Sequence, residues 1–171
     1  MEQSSQEAPR AAEVKLRQFE LSDVDSMTDW ASDLLDKPTE PLLPFIRDFV
    51  LPHPWFRAIC LAGDDRPIGA VYVTLTRDPC RAELSYLLAR AHWGKGVATA
   101  AVMRTVATVF GEMKGLERVE ALVEVANRAS QRVLEKAGFT REAVLRKYGV
   151  VEGVVKDMVM FSFIDTDPLV E

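Results

Sequence analysis

The stretch ELSYLLARAHWGKGVAT, residues 83–99, decides the fold. Glu83 to Leu88 is a β-rich run, Ala89 to Lys95 a loop, and Gly96 opens a helix predicted to reach Gly111. Gly94 and Gly96 let the backbone turn tightly and approach a ligand, and the free N–H groups at the helix start present partial positive charge to an anion. The segment therefore reads as a strand, a loop shaped to hold a pyrophosphate, and a helix. Glycine pairs also open helices that bind nothing, so the anion must be identified from the rest of the chain.

Upstream, Val14, Leu16 and Gln18 alternate with Lys15, Arg17 and Phe19, which predicts a first strand. Ser22 with Asp25 three residues on resembles a capping box. Val24, Met27, Ala31, Leu34 and Leu35 then form one apolar helix face that should end before Lys37-Pro38. Pro38 to Pro44 reads as loop, with Pro44 in the first turn of a short amphipathic helix carrying Phe45, Ile46, Phe49 and Val50, a flap over a cleft. Phe56–Leu61 and Ile68–Leu75 are β-rich and joined through Gly63-Asp64-Asp65-Arg66-Pro67, a hairpin.

Downstream, Val97, Ala98, Ala101, Val102, Val106, Val109 and Phe110 with Arg104 as the only charge before Glu112 predict a helix buried against the sheet. Arg118 to Val125 is the next strand, followed by a helix from Asn127 to Ala137. Lys136 sits in its last turn, Gly138 suits the left-handed position beyond it, and Phe139 can fold back on Leu134 as in a Schellman ending. Phe139–Leu145 and Val154–Ile164 are expected to close the domain as two strands around Tyr148-Gly149. The order β, α, α, β, β, β, α, β, α, β, β specifies an α/β chain of the α+β type, a mixed sheet with helices on both faces.

A chain of 171 residues with 48% hydrophobic composition suits one domain with a substantial core. A net charge of −5 with 27% charged residues favours neither disorder nor a nucleic-acid surface. Cys60 and Cys80 are the only cysteines and His53 and His92 the only histidines, without metal-ligand spacing, so no metal is expected and both thiols should stay reduced. Residues 1–12, MEQSSQEAPRAA, match neither a secretory signal nor an Arg-rich transit peptide and read as a disordered tail. The domain is expected over 13–166, with a short C-terminal tail at 167–171. No apolar run reaches membrane-spanning length, so the default expectation is a soluble cytoplasmic protein, with a nuclear or organellar address left open.

Two phosphate motifs can be set aside. A Walker A loop needs a Gly five residues before Gly-Lys and a Ser or Thr after it, whereas position 89 is Ala and position 96 is Gly. A dinucleotide fingerprint needs a third glycine where Thr99 stands, in a βαβ unit, and here three β-rich segments precede the loop without helices between them. The segment Ala91-His92-Trp93-Gly94-Lys95-Gly96 instead resembles the Gln/Arg-x-x-Gly-x-Gly/Ala loop of the GNAT superfamily of acyl-CoA N-acyltransferases. Ala91 replaces the first residue of that pattern, a loss that Arg90 would offset only if the loop shifted. The match gains specificity from Glu83-Leu84-Ser85-Tyr86-Leu87-Leu88 before it and Asn127-Arg128-Ala129-Ser130-Gln131-Arg132-Val133-Leu134-Glu135-Lys136-Ala137-Gly138-Phe139 after it. Together these resemble the ribosomal-protein-alanine N-acetyltransferase branch over roughly residues 14–164.

That resemblance implies about seven mostly antiparallel strands whose parallel central pair splays near Leu87 and Leu88, exposing backbone groups to acetyl-CoA. It implies cofactor contacts from Leu87, Leu88, Ala89, Trp93, Gly94, Lys95, Gly96, Val97, Ala98 and Thr99, then Asn127, Ser130 and Arg132. Arg90, Arg128 and Lys136 would add to a basic footprint for the phosphates. An amine must lose a proton before it attacks. Glu83 is the first choice of general base, directly or through a water, with Asp157 and Glu142 as runners-up. Ser130 would face the leaving sulfur, with Tyr148 as an alternative acid, and Asn127 would both cap its helix and bond the pantetheine amide. The acceptor is a protein N-terminus or a small-molecule amine, not nucleic acid or membrane, and the chain a monomer or homodimer. The alternative from another class is a non-catalytic acyl-CoA-binding module.

Overall fold

The computed structural model describes residues 13–34 and 41–171. The tail expected over 1–12, Leu35 and the helix stop at Lys37-Pro38 lie outside the described residues. Among those described, seven strands form one sheet in the order β1-β2-β3-β4-β5-β7-β6. They are β1 (Val14–Gln18), β2 (Phe56–Leu61), β3 (Gly69–Leu75), β4 (Arg81–Leu88), β5 (Arg118–Glu124), β6 (Thr140–Val151) and β7 (Val154–Ile164). Four helices, α1 (Val24–Leu34), α2 (Leu42–Phe45), α3 (Val97–Glu112) and α4 (Arg128–Lys136), interleave with them in the expected order.

Side-chain alternation along the strands divides the core in two. On one face Ile59, Val71, Val73, Ala82, Leu84 and Leu88 bury against α3 and α4. On the other, Phe56, Ala58, Cys60 and Ala70 bury against Met27, Trp30 and Ala31 of α1 and Ile46 and Val50 beyond α2. Alternation places even-numbered β4 residues on the α3/α4 face and Glu83, Ser85 and Leu87 on the α1/α2 face. Residue parity along this one strand thus decides which chemistry each side chain can reach.

Every neighbouring pair in the sheet is antiparallel except β4 with β5. That parallel pair is short: Arg81 faces Arg118, Ala82 faces Val119, Glu83 faces Glu120, and the pairing then stops. Beyond Glu83, β4 remains paired with β3 as far as Leu88, while β5 remains paired with β7 through Glu124. The splay expected near Leu87 and Leu88 therefore opens earlier, one residue past Glu83.

Three local expectations need correction. The cap before α1 is built two residues earlier than Ser22 and Asp25: Asp23 accepts the Glu20 N–H (2.8 Å) and a bidentate pair from Arg17 (2.7 and 2.9 Å). Burial pushes the Asp23 carboxyl up, but these hydrogen bonds hold it below its ordinary value. Leu42 and Leu43, assigned to a loop, are helical, and α2 continues through a π-type turn at Ile46–Val50 that buries Ile46 and leaves Phe49 half exposed. The last hairpin turns at Glu152-Gly153, both with positive φ (50° and 77°), not at Tyr148-Gly149. Those two residues lie inside β6 beside an irregularity where Lys147 (φ 48°) gives its N–H to Asp157 (2.7 Å).

The end of α4 matches expectation bond for bond. Phe139 N–H reaches Leu134 O (3.0 Å), Gly138 N–H reaches Glu135 O (3.1 Å), and Gly138 is left-handed (φ 94°). Leu134 and Phe139 are both buried in the same cluster. A methyl group on Gly138 would also sit 2.9 Å from Val170 Cγ2. Gly138→Ala is expected to lower unfolding free energy by about 1–2 kcal/mol, the cost of an L-residue held left-handed, read from the urea midpoint.

Candidate active site

Between the parted strands and the start of α3 lies a cleft of about 520 Å³, floored by Tyr86, Leu87 and Leu88 and walled by the loop 92–99 and by α4. Its first wall is a glycine turn running into a helix start. Gly94 (φ 71°) and Gly96 (φ 78°) take left-handed turns, and Gly96 caps α3 without a side chain. The N–H groups of Val97, Ala98 and Thr99, in the first turn of a sixteen-residue helix, have no carbonyl one turn back to bond. All three residues line the cleft. The far end of α3 is anchored: Glu112 accepts from Trp55 Nε1 (2.6 Å) and from Arg57 (3.1 Å), which fixes the helix across the sheet.

The floor is a strand edge. Ala89 N–H bonds Ile68 O and Thr76 N–H bonds Arg81 O, so odd-numbered β4 residues point their amides at β3. Alternation then turns the amides of Leu84, Tyr86 and Leu88 toward the gap. One of these groups is already used: Trp93 Nε1 donates to Leu88 O (2.7 Å). The Leu88 N–H stays turned to the gap. Opposite, Gln131 Nε2 donates to Glu124 O (3.2 Å) and Val125 O (2.8 Å), closing the end of β5.

The second wall is the start of α4. Asn127 Oδ1 accepts the Ser130 N–H (3.1 Å), the expected cap, and Asn127 lines the cleft. Ser130, Arg132 and Lys136 line the same wall. Arg132 lies 3.7 Å from Glu135, a loose exposed pair that leaves it available to an anion.

Of the expected cofactor residues, Leu87, Leu88, Trp93, Gly94, Gly96, Val97, Ala98, Thr99, Asn127, Ser130 and Arg132 are brought together here, while Ala89 and Lys95 do not line the cleft. Ala89 is buried under α1, and Lys95 is exposed on the outside of the loop. Arg90 does not offset Ala91: its guanidinium stacks on Trp93 at 5.5 Å, within a tight turn over Arg90–His92. Arg128 lies outside the lining. Tyr86, His92, Ala129 and Val133 are lining residues that the motif did not assign, since an aromatic in a strand or a small residue in a helix is indistinguishable from core by pattern.

No carboxylate lines the cleft. Glu83 stands at the fork of the two strands, exposed, on the α1/α2 face, and among the described residues has no ion-pair or hydrogen-bond partner. Four residues separate it from Leu87, about 13 Å of strand. The two runners-up are occupied. Asp157 holds the β6 irregularity through Lys147. Glu142 takes both Arg118 nitrogens (2.6 and 2.7 Å) and the Ser162 hydroxyl (2.7 Å), which hold its carboxyl down at about 2. Arg118 and Arg81 also hold buried Glu120, so this face carries a saturated network beside one unpaired carboxylate. Tyr148 is 54% exposed on the hairpin, away from the cleft. Cys60 is buried, its thiol pushed up by burial, and neither cysteine lines the cleft. Among the described residues no cluster of His, Cys, Asp or Glu is arranged to hold a metal, and no helix is long and apolar enough to cross a membrane.

Comparison with known proteins gives a consistent picture. Residues 13–140 match the model of the acetyltransferase (GNAT) domain. The chain is 41% identical over 111 residues to a probable N-acetyltransferase, YjcK, of Bacillus subtilis, covering 64% of this chain and 61% of that protein. It is 32% identical over 163 residues to an uncharacterized N-acetyltransferase, p20, of Bacillus licheniformis, covering 87% of this chain and 91% of the relative. A GNAT-family acetyltransferase from Bacillus anthracis has the same fold, with a TM-score of 0.80 at 22% identity over 94% of this chain and 98% of that one.

The Glu142 network makes a prediction about acid stability. A carboxyl held below its unfolded value contributes stability that is present above about pH 4.5 and is lost as pH falls toward about 2. Glu142→Gln is therefore expected to flatten the fall in urea midpoint over that window relative to the wild type.

Proposed function

Because the chain belongs to the GNAT acetyltransferase family, we propose that it transfers the acetyl group of acetyl-CoA directly to a primary amine within a ternary complex. The observation that carries this reading is the coincidence of three features in one cleft. They are a strand edge left unpaired beyond Glu83, a helix start without a side-chain cap behind two left-handed glycines, and the polar start of α4. The residues fit acetyl-CoA in kind: amides at the start of α3 for a pyrophosphate, Arg132 and Lys136 for further phosphate charge, and a free β-edge for an extended pantetheine arm. When bound, the thioester supplies an activated acyl group.

Each residue then has a physical task. The backbone of Gly94 to Thr99 holds the diphosphate, and the β4 edge aligns the arm as an added strand, so that reaction becomes effectively unimolecular. Leu88 N–H, the amide still turned to the gap, is placed to donate to the oxygen on which charge develops. Asn127 turns its free amide nitrogen to the arm while its oxygen keeps the helix cap. Ser130 donates a hydrogen bond to the departing sulfur. The acceptor amine enters from the α1/α2 face, where Glu83 takes its proton; the distance along the strand requires that proton to travel through water. The acceptor is a protein N-terminus or a small-molecule amine, and cytoplasmic residence follows from the same reading.

One observation favours a second reading, a non-catalytic acyl-CoA-binding module: the absence of any carboxylate from the cleft lining. Thiol release separates the two. An amine panel incubated with acetyl-CoA is expected to yield free thiol and an acceptor heavier by one acetyl group, whereas binding in calorimetry without release across the panel would favour the module.

Two substitutions test the parts. Gly96→Val, which forces a β-branched residue into a left-handed cap, is expected to abolish acetyl-CoA binding in calorimetry while circular dichroism stays native. Glu83→Gln is expected to leave that binding unchanged and lower kcat about 10²-fold. The loss should be greatest at low pH, where the amine is mostly protonated and most in need of a base; full activity across pH would remove Glu83 from the mechanism.

A further inference from the structure

The α1/α2 face carries a row of aromatic rings that neither the core nor the cleft accounts for. Phe45 and Phe49 stack with centroids 5.2 Å apart, Phe49 lies 6.0 Å from His53, and His53 lies 6.1 Å from Tyr72. The buried Phe56 meets Phe49 and His53 edge to face (6.4 and 5.5 Å) and stacks on Tyr72 (4.6 Å). Phe56 is 6% exposed, whereas Phe45 and Phe49 are 40% and 50% exposed. Packing explains the inner ring but not Phe49, which stands half exposed in the π-type turn at Ile46–Val50. Such turns are rare and gather at functional sites.

Two observations say what would cover these rings. The first is register. Tyr72 stands directly across from Ser85 on β4, midway between Glu83 and Leu87, and Leu87 lines the cleft. The row therefore runs up to the cleft mouth, with Tyr72 about 7 Å of strand from the level of Leu87. The second is charge. Asp48, on the same turn as Phe49, is taken by Arg47 (2.7 and 2.8 Å), and Glu120 and Glu142 are held by arginines, while Glu83 has no ion-pair partner among the described residues. His53 adds no cation: its Nδ1 accepts the Trp55 N–H (3.1 Å), so the neutral ring keeps its hydrogen on Nε2 and donates it to Thr74 Oγ1 (3.0 Å), and burial lowers its pKa. Rings beside an open carboxylate, with the neighbouring acids spent, suit an apolar body bearing one ammonium better than a chain of several charges.

We propose that the acceptor is a primary amine joined by a short alkyl arm to an aromatic body, the body resting on Phe49, His53 and Tyr72 and the arm reaching past Leu87 into the gap. The inference rests on the acetyl-transfer reading of the cleft and names the substrate class for it. The rings determine specificity: they hold the body and touch no reacting atom. Glu83 draws the ammonium in and takes its proton, and the free amine then reaches the thioester while its body stays on the rings.

Thiol release from acetyl-CoA is measured with 2-phenylethylamine, ethylamine, spermidine, glucosamine and a peptide with a free N-terminal alanine. 2-Phenylethylamine is expected to have a kcat/KM about tenfold or more above each of the others. No advantage over ethylamine, or preference for any of the other three, would overturn the proposal. Phe49→Ala is expected to cut the ratio of 2-phenylethylamine to ethylamine about tenfold through KM, with Tm and the Kd for acetyl-CoA as in the wild type; an unchanged ratio would remove the rings from recognition. A second readout needs no turnover. In protein labelled with ¹³C-phenylalanine and supplied with coenzyme A, the Phe49 ring resonance, identified by its loss in Phe49→Leu, is expected to move on adding 2-phenylethylamine and to stay in place with ethylamine. A resonance unmoved by 2-phenylethylamine would refute the surface. If no amine released thiol, the acetyl-transfer reading would fall, and this titration would still decide whether the rings take an aromatic amine.

Discussion

Three pairs of residues hold β4 and β5 together, and the rest of the site depends on their stopping there. Each strand beyond the fork is drawn to its outer neighbour: β4 by its full antiparallel register with β3, β5 by its register with β7. The fork is clamped below by Arg81 and Arg118, which bracket Glu120, and is kept open above by groups that consume what might otherwise re-pair. Gln131 occupies the last carbonyls of β5, and the Trp93 indole occupies the carbonyl of Leu88. A parallel ladder with more pairs would be ordinary sheet. Ended early, it leaves backbone amides facing the gap that neither strand pairs.

The fork also sorts polar chemistry by face. Along the β4–β5 fork on the α1/α2 side, Glu120 and Glu142 are held by arginines, while Glu83 has no ion-pair partner among the described residues. The lining of the cleft on the α3/α4 side has backbone amides, hydroxyls and cations but no acid. The two sides of the sheet therefore differ in charge across the gap. The net charge of −5 gives no hint of this separation, because it averages over both faces.

Legibility in the sequence followed the locality of the physics. The Schellman ending of α4, the glycine cradle and the order of elements depend on residues within a few positions of one another, and pattern alone located them. The cap before α1 was misplaced because Arg17, on a different element, recruits Asp23 and moves the box off Ser22. The last turn was misplaced because Gly149 attracts a turn reading, whereas Glu152-Gly153 turns with a residue type that seldom adopts positive φ. Arg90 could be placed near the loop, yet only the structure shows its guanidinium spent on the Trp93 ring and not among the cleft-lining residues. Tyr86 was invisible as a polar group, since a tyrosine in an alternating strand satisfies the pattern of a core residue whatever its hydroxyl does.

The indole that seals Leu88 O also sets this chain's optical properties. Of its three tryptophans, Trp30 and Trp55 are buried at 6% and 2% exposure, while Trp93 is 54% exposed at the rim of the cleft. Emission from the first two belongs to the fold; only the third meets solvent where a ligand would displace it. The chain thus contains an intrinsic fluorophore at the rim of its cleft, so entry of any ligand there can be followed in the unlabelled protein, with Trp93→Phe as the silent control.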